Sequence, residues 1–508
     1  MFGFGWLLLS LAALTVRAEP AQAPVRSFAA LPAAIKDQVN VGNPRSAEQI
    51  ADSPFGTSSV VCFEGAAQAA EIANLIAAAG YKWVGEYMQA DWSHRPTAEA
   101  ERMLWAQPRP GCSEYLARLQ GHRIEVLMRI DPLPTKKLIG KLPVTAEDLT
   151  LAKLYTRNAV AALKPFVKHW QIGNEPNVTN AAEAYVDNLA VLAKVIREEQ
   201  PDAVIYGPGA GMLQCLADEP YPWMKHALQA GMMKHIDVFS FHPYRANGDP
   251  PERASEFSRW RHWKNYAVQI DALSHALHAA SPRRPQRLAV TEDGEGSPIS
   301  ASGEQRVTPI IDAKHELRRS LLDFEQGIYP RLHFTFYRNI PSAAYSFEGS
   351  FNTISSNLDK KPLYYAAQNL HAVLDSSYKP TDALHVAVID RTTRAAPEVG
   401  SQIQAYIKHH AGFDELSIFF WAPAFAQNMH LRVPVCLQLS EADWEAPVLI
   451  DLMTMPGKAS AQGHQNSEHE RTSYPAIRRV QAGLLLDAIE LRDYPQLLKL
   501  IRITPASR

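Results

Sequence analysis

Cysteine is scarce. The 508 residues hold four, Cys62, Cys112, Cys215 and Cys436, scattered at spacings that match no metal-ligand pattern, so a zinc site is not expected. Cys62 lies in an apolar, strand-like run and reads as a buried free thiol; a disulfide is permitted in an exported chain, but the sequence by itself pairs none of the four. Charge of one sign is also lacking. Lys and Arg number 51 against 53 Asp and Glu, a formal net charge of −2, which gives no reason to expect nucleic acid or an anionic membrane as partner. No glycine-rich nucleotide fingerprint follows the first strand-like run, which weakens an open doubly wound sheet. An early His-x-His and a set of strand-end His and Asp ligands are missing too, which argues against a metal-dependent barrel hydrolase. Beyond the first residues, no segment is apolar over the ~20 residues that a membrane helix needs. There is no internal repeat and no low-complexity tract.

What is present begins with a short apolar run, Trp6 to Val16, followed by Ala18 and the triplet Ala21-Gln22-Ala23. This reads as a signal peptide over residues 1–23, and the mature chain is expected to be secreted or periplasmic. No cysteine follows the run, so no lipoprotein anchor is expected. Residues 24–54 lack a clear period and are expected to form an extended arm.

From about residue 58 to 376, short β-rich runs alternate with longer stretches of helical spacing. The β-like runs are Ser58–Glu64, Tyr81–Met88, Arg123–Ile130, Val167–Glu175, Ala203–Gly207, His235–His242, Gln286–Glu292 and His333–Arg338. Between them, Ala66–Ala79, Ala146–Leu163, Ala181–Glu199 and Ala254–Ala280 place apolar residues on one helical face, and Thr145 with Asp148 predicts an N-terminal cap for the second of these. Eight strand–helix alternations predict a (β/α)8 TIM barrel over residues 55–376. After Asp375 the texture changes to alternating β-branched and aromatic runs: His385–Ile389, Ile403–Lys408, Leu416–Trp421, His430–Val435 and Pro447–Ile450, with later apolar runs near Leu484–Leu491 and Leu497–Ile503. This predicts a C-terminal all-β sandwich domain over residues 377–508, with Gly457–Glu470 as a long loop.

In such a barrel, functional groups sit at the carboxyl ends of strands. The fourth strand-like run closes on Gly173-Asn174-Glu175-Pro176-Asn177, and Pro176, having no N–H, is expected to end the ladder and hold Glu175 at the mouth. The seventh closes on Val290-Thr291-Glu292, after which Asp293-Gly294-Glu295-Gly296 turns the chain away. Two facing glutamates are what glycosidic cleavage requires: one carboxylic acid protonates the leaving oxygen and one carboxylate attacks the anomeric carbon. Repulsion and burial are expected to raise the pKa of the acid. Asn174 is expected to donate to a substrate hydroxyl, and His242 or Tyr244, in Phe241-His242-Pro243-Tyr244, to hydrogen-bond Glu292. The alternative for His242 is a satisfied barrel histidine. Tyr87, Trp92, Trp223 and Phe347 are aromatics near strand ends, each either a sugar-stacking residue or loop packing; Trp92 is taken as a candidate for the substrate. Asp293 and Glu295 add negative charge beside Glu292 and would disfavour uronate-rich substrates unless they point into solvent. Asn177-Val178-Thr179 matches a glycosylation sequon but is discounted because it lies at the mouth.

Asn174-Glu175-Pro176, His242-Pro243-Tyr244 and Thr291-Glu292 together resemble the clan of retaining glycoside hydrolases whose acid/base and nucleophile end strands four and seven. The resemblance runs over about residues 55–376 and includes Asp359-Lys360-Lys361-Pro362-Leu363-Tyr364-Tyr365-Ala366 at the exit from strand eight; its texture is most similar to the family 39 type. It implies Glu175 as acid/base, Glu292 as nucleophile, a β-linked oligo- or polysaccharide as substrate, and no metal or organic cofactor. The chain departs from the clan in two places. Trp83-Val84-Gly85-Glu86 lacks the arginine commonly found late in strand two, for which Arg129 on strand three is a candidate replacement, with a surface role as the alternative. Strand eight offers Tyr337 where the clan often places a tryptophan under the sugar. A catalytically silent carbohydrate-binding protein on the same barrel is the alternative reading.

Overall fold

The computed structural model describes residues 24–504 apart from 65–66, 90–107, 109–110, 132–144, 180, 212–221, 245–249, 254–264, 284–285, 295–306, 338–351, 356, 456–470 and 482. Eight parallel strands close a barrel in sequence order: β1 (Phe55–Ser59), β2 (Trp83–Gln89), β3 (Glu125–Asp131), β4 (His169–Ile172), β5 (Val204–Gly211), β6 (Val238–His242), β7 (Leu288–Val290) and β8 (Arg331–Tyr337). In the segment before the barrel, a short helix α1 (Ala33–Lys36) lies between two 3-10 turns, and Phe28, Leu31 and Val39 are buried.

The helices are α2 (Val61–Glu64), α3 (Ala69–Ala78), α4 (Cys112–Gly121), α5 (Ala146–Leu163), α6 (Pro176–Thr179), α7 (Ala182–Glu199), α8 (Pro222–Gln229), α9 (Tyr266–Ala280), α10 (Pro309–Glu325) and α11 (Pro362–Val373). Helix α5 has the bounds read from its period. Its cap is the one expected: Thr145 Oγ1 accepts from the Asp148 N–H at 3.1 Å, and Asp148 Oδ2 accepts in return from the Thr145 N–H at 2.9 Å, a reciprocal arrangement that satisfies two otherwise orphaned donors.

Strand alternation sorts the barrel interior. Trp83, Leu127, Tyr206, Val238, Ala289 and Leu332 form an apolar layer. Because side chains two residues apart share a face, Tyr87 follows Trp83 into the mouth, Arg129 follows Leu127, and Ser240 and His242 follow Val238. The floor is therefore greasy and the mouth polar, on the same strands.

Three local expectations need correction. The apolar run Val60–Phe63 was expected within the first strand; the β1 ladder stops at Ser59 and Val61–Glu64 turns as α2. An apolar run of that length carries no period that separates strand from helix. The fourth strand was expected to run to Glu175 and stop at Pro176, but the ladder ends at Ile172. Gly173 (φ 84°) and Glu175 (φ 48°) are left-handed, so the chain has left the sheet before Pro176, which instead opens α6, where its missing N–H is harmless. Cys62 is not a free thiol: it forms a disulfide with Cys112 at the start of α4, with Cα atoms 4.6 Å apart. Cys436 is free and buried, and Cys215 lies outside the described residues.

The C-terminal region is two antiparallel sheets. One has the order β10 (Val386–Asp390), β13 (Val433–Leu439), β17 (Gly483–Leu491), β16 (Ile477–Val480). The other runs β15 (Thr472–Ser473), β14 (Glu445–Asp451), β18 (Gln496–Ile503), β12 (Phe413–Trp421), β11 (Gln402–His410), β9 (Lys379–Pro380). Leu416, Ile418 and Phe420 of β12 face the first sheet, whereas Phe413, Phe419 and Trp421 on its other face pack with residues of α10 and α11. That second contact is why β12 is buried throughout. The expected loop Gly457–Glu470 lies outside the described residues.

Candidate active site

Glu175 stands at the carboxyl end of β4 on a backbone that few non-glycine residues adopt. Several contacts hold it there. Its N–H donates to Gly209 O at 3.0 Å. Asn177 clamps the next strand end, its Nδ2 donating to Gly211 O at 2.8 Å and its Oδ1 accepting from the Gly211 N–H at 2.9 Å. The carboxyl of Glu175 then lies directly over Gly211, where a Cβ would meet its Cδ at 2.6 Å. The sequon at Asn177 thus has its amide committed to the backbone.

Glu292 follows β7 and is buried. Arg129 Nη1 donates to its Oε1 at 2.5 Å, and Tyr244 Oη donates to its Oε2 at 3.0 Å. Arg129 is 1% exposed, so the surface alternative falls away. Burial pushes its guanidinium down to about 9, which leaves it cationic at neutral pH. It also raises the Tyr244 phenol well above its usual range, so this group remains a donor. Gly85 of β2 leaves room in the barrel for Leu332, since a Cβ there would lie 2.8 Å from a Leu332 methyl, while Arg129 Nη2 at 3.5 Å would be in ordinary contact. Strand β2 carries no arginine, and a cation from β3 stands beside Glu292.

His242 bridges the two glutamates. Its Nδ1 is 3.1 Å from Glu175 Oε1 and 3.6 Å from Glu292 Oε2, so its hydrogen bond is to Glu175 and not to Glu292, while Tyr244 serves Glu292. Oxygens of both glutamates and a ring nitrogen of His242 lie within 4.8 Å of one another. Three such donors are also a possible cation cradle, but the guanidinium and the phenol already take both oxygens of Glu292, and a cation there would sit beside Arg129. For Glu175, burial pushes the carboxyl up, the hydrogen bond and charge of His242 pull it down, and the balance falls below the ordinary value. Burial alone would give the raised value expected from the sequence; the histidine reverses it. Burial in turn pushes His242 down, against the pull of Glu175.

The remaining expected residues divide. Asn174 is in the group: its Oδ1 accepts from Tyr87 Oη at 2.9 Å, which turns its amide nitrogen to the other side, and the Tyr87 ring lies 3.6 Å below the Arg129 guanidinium. Tyr87 therefore joins the surroundings of the two glutamates, a link that strand-end position alone hinted at. Tyr337 ends β8 within the apolar cluster and is 4% exposed, so its ring presents almost no face to a sugar. Trp223 is buried against Tyr185. Trp92, Glu295 and Phe347 lie outside the described residues. Asp293 turns inward to Arg319 and Arg331, so its charge is compensated and not presented to the mouth.

No family model matches the sequence, and no curated protein matches it. Solved structures share the fold. A family 39 glycoside hydrolase from the gut symbiont Bacteroides cellulosilyticus WH2 superposes with a TM-score of 0.63 at 17% identity, covering 91% of this chain and 82% of that one. A family 39 enzyme from Xanthomonas axonopodis pv. citri gives 0.52 at 15% identity over 92% and 96% of the two chains. A monomeric β-xylosidase from Caulobacter crescentus CB15 gives 0.51 at 11% identity over 90% and 98%. At these identities the likeness establishes the architecture: a closed (β/α)8 barrel with a C-terminal all-β region.

Proposed function

We propose that the chain is a retaining glycoside hydrolase acting on a β-linked oligo- or polysaccharide, with Glu292 as nucleophile and Glu175 as acid/base. The observation that carries this reading is the carboxyl pair at the ends of β4 and β7, with oxygens within 4.8 Å. That spacing suits direct attack by one carboxylate, whereas an inverting pair leaves about 6.5–9.5 Å for a water. The unequal surroundings support the division of roles. Glu292 receives a guanidinium and a phenol, which favour a carboxylate. Glu175 has one neutralisable partner, His242, and is the more exposed of the two.

In the first step Glu292 attacks the anomeric carbon, the glycosidic C–O bond breaks, and Glu175 gives its proton to the departing oxygen. In the second, the Glu175 carboxylate takes a proton from water, whose oxygen displaces Glu292 and restores both groups. A bound sugar strips water from Glu175, which adds to the effect that raises its pKa and helps it arrive protonated. Asn174, oriented by Tyr87, offers its amide nitrogen to a sugar hydroxyl. The barrel neighbours described as glycoside hydrolases support the same class. The Cys62–Cys112 disulfide, together with the leader-like first 23 residues, supports an oxidising, exported location.

The test is a pair of variants assayed on aryl β-glycosides, with proton NMR of the first-formed anomer. Glu292→Gln should lose nearly all turnover. Glu175→Ala should lose far more on poor leaving groups than on activated ones and recover with azide as a β-glycosyl azide. A folded Glu292→Gln protein with near wild-type activity, or inversion of the anomer, sinks the reading.

A further inference from the structure

We propose that Arg319 is a positioning residue for Glu292, acting through Asp293, and that the β-domain fixes Arg319 in place through helix α10. This rests on the reading of Glu292 as nucleophile.

Strand β7 is short. It is three residues long, and on the β8 side it pairs Val290 with Arg331 and makes two backbone bonds, Tyr329 N–H to Leu288 O at 2.9 Å and Val290 N–H to Pro330 O at 3.0 Å. Glu292 lies two residues past the end of that ladder, one residue beyond the Thr291 N–H that donates to Phe241 O of β6 at 3.2 Å. Past that bond, a clamp on the next residue also holds the turn. The Asp293 carbonyl accepts from the Phe334 N–H at 2.6 Å. Its Oδ1 accepts from the Gly294 N–H at 2.9 Å and from Arg319 Nη1, and its Oδ2 from Arg331 Nη2 at 3.1 Å. Arg331 is itself held by Glu316 (Nη2 to Oε2 2.8 Å) and by Asp323 (Nε to Oδ2 3.2 Å).

Three of these groups, Glu316, Arg319 and Asp323, lie on one side of α10, spaced i, i+3 and i+7. Lys314 and Arg318, spaced i and i+4, point the other way. Lys314 Nζ donates to both oxygens of Asp493 at 2.9 and 2.8 Å and to Gln427 O at 2.6 Å. Arg318 Nε donates to Glu252 Oε1 at 2.8 Å and Nη1 to Ala424 O at 2.7 Å, and the same Glu252 oxygen accepts from Trp421 Nε1 at 2.7 Å. Asp493, Gln427, Ala424 and Trp421 all belong to the β-domain. One buried helix thus carries two sets of charged groups. The first is seated in the β-domain, and the second reaches the residue beside Glu292. Ion pairs this deeply buried are directional and tolerate little displacement, so the β-domain sets where Arg319, Asp293 and then Glu292 stand. Among the described residues no hydrogen bond or ion pair joins Arg319 or Arg331 to Glu292, which makes this a matter of position and not of chemistry.

Active-site labelling tests the idea in the full-length protein. Wild type is treated with 2,4-dinitrophenyl 2-deoxy-2-fluoro-β-glycosides of xylose and of glucose, and the labelled peptide is identified by mass. Labelling of Glu292 supports the underlying reading; no labelling, or labelling elsewhere, removes that reading and this proposal with it. The labelling rate constant, counted per active site released in the dinitrophenolate burst, is then compared among folded variants. Arg319→Gln should label about 10- to 100-fold more slowly, the scale of an ångström of misplacement, with KM changed less than about threefold and with Arg319→Lys recovering part of the rate. A merely stabilising Arg319 would lower the melting temperature and leave the rate per site alone; a rate within twofold of wild type overturns the proposal. Should Arg319→Gln fail to fold, the double variant Lys314→Met with Asp493→Leu replaces the β-domain pair by apolar groups, a change that buried pairs often survive. It should slow labelling about fivefold or more if a small displacement reaches Glu292, and an unchanged rate per site overturns the role of the β-domain.

Discussion

Gly211→Ala isolates the placement of Glu175 without touching any ionisable group. Gly211 does not adopt a left-handed backbone, so alanine meets no intrinsic strain there. Its Cβ would, however, stand 2.6 Å from Glu175 Cδ and 2.7 Å from Oε1, where ordinary contact begins near 3.4 Å, so the carboxyl must retreat by about 0.8 Å (3.4 − 2.6). The room is limited, because Asn177 grips Gly211 from both backbone atoms and His242 holds Glu175 Oε1 at 3.1 Å. A displacement near 1 Å in a catalytic group costs on the order of 10²-fold, about 2.7 kcal/mol of transition-state stabilisation. The loss should appear where proton donation matters. With an alkyl β-glycoside, kcat/KM should fall about 100-fold, and with a 2,4-dinitrophenyl β-glycoside, which needs little protonation, less than about fivefold. Gly121→Ala, where a Cβ meets nothing within 4 Å, serves as the unaffected control. An equal loss on both substrates, or no loss on either, would refute the assignment of Glu175 as the acid.

His242→Phe removes both influences that lower Glu175 and leaves burial, which raises it. The alkaline limb of kcat/KM, where the acid loses its proton, should therefore move to higher pH; a limb that stays or moves down would show that His242 does not set the protonation of Glu175. Cys62→Ala with Cys112→Ala opens a cross-link spanning 50 residues, for which loop entropy gives at most ~4 kcal/mol. The denaturant midpoint should fall accordingly and cease to respond to reductant, and a midpoint equal to that of the oxidised wild type contradicts the bridge.

Much of the architecture is local information, and the sequence carries it openly. Strand–helix alternation, the period of α5 and the Thr145 cap all lie within a few residues of chain, because hydrogen bonding and side-chain periodicity repeat at short range. Position at a strand end is equally local, which is why Glu175, Glu292, Asn174, His242 and Tyr244 can be picked out before any fold is known. Their partners are another matter. Arg129 meets Glu292 across 163 residues, and Cys62 meets Cys112 only because α2 and the start of α4 lie side by side. Barrel closure creates the first contact and the pairing of β1, β2 and β3 the second, and no periodicity encodes either.

Helix α10 shows the limit most clearly. Pro309-Ile-Ile-Asp-Ala-Lys-His-Glu-Leu-Arg-Arg-Ser-Leu-Leu-Asp-Phe-Glu325 is rich in charge, a composition that by itself suggests a solvated surface helix. In the structure, residues from Ile310 to Asp323 are buried throughout, because the β-domain covers one side and β7 and β8 the other, each providing countercharges from distant parts of the chain. Local signals favour a helix there, with Thr308 capping its start and Pro309 at its first position. Only the tertiary structure decided that its charges would be buried, since the desolvation of a charge is offset by whichever opposite charge the folded chain brings to it.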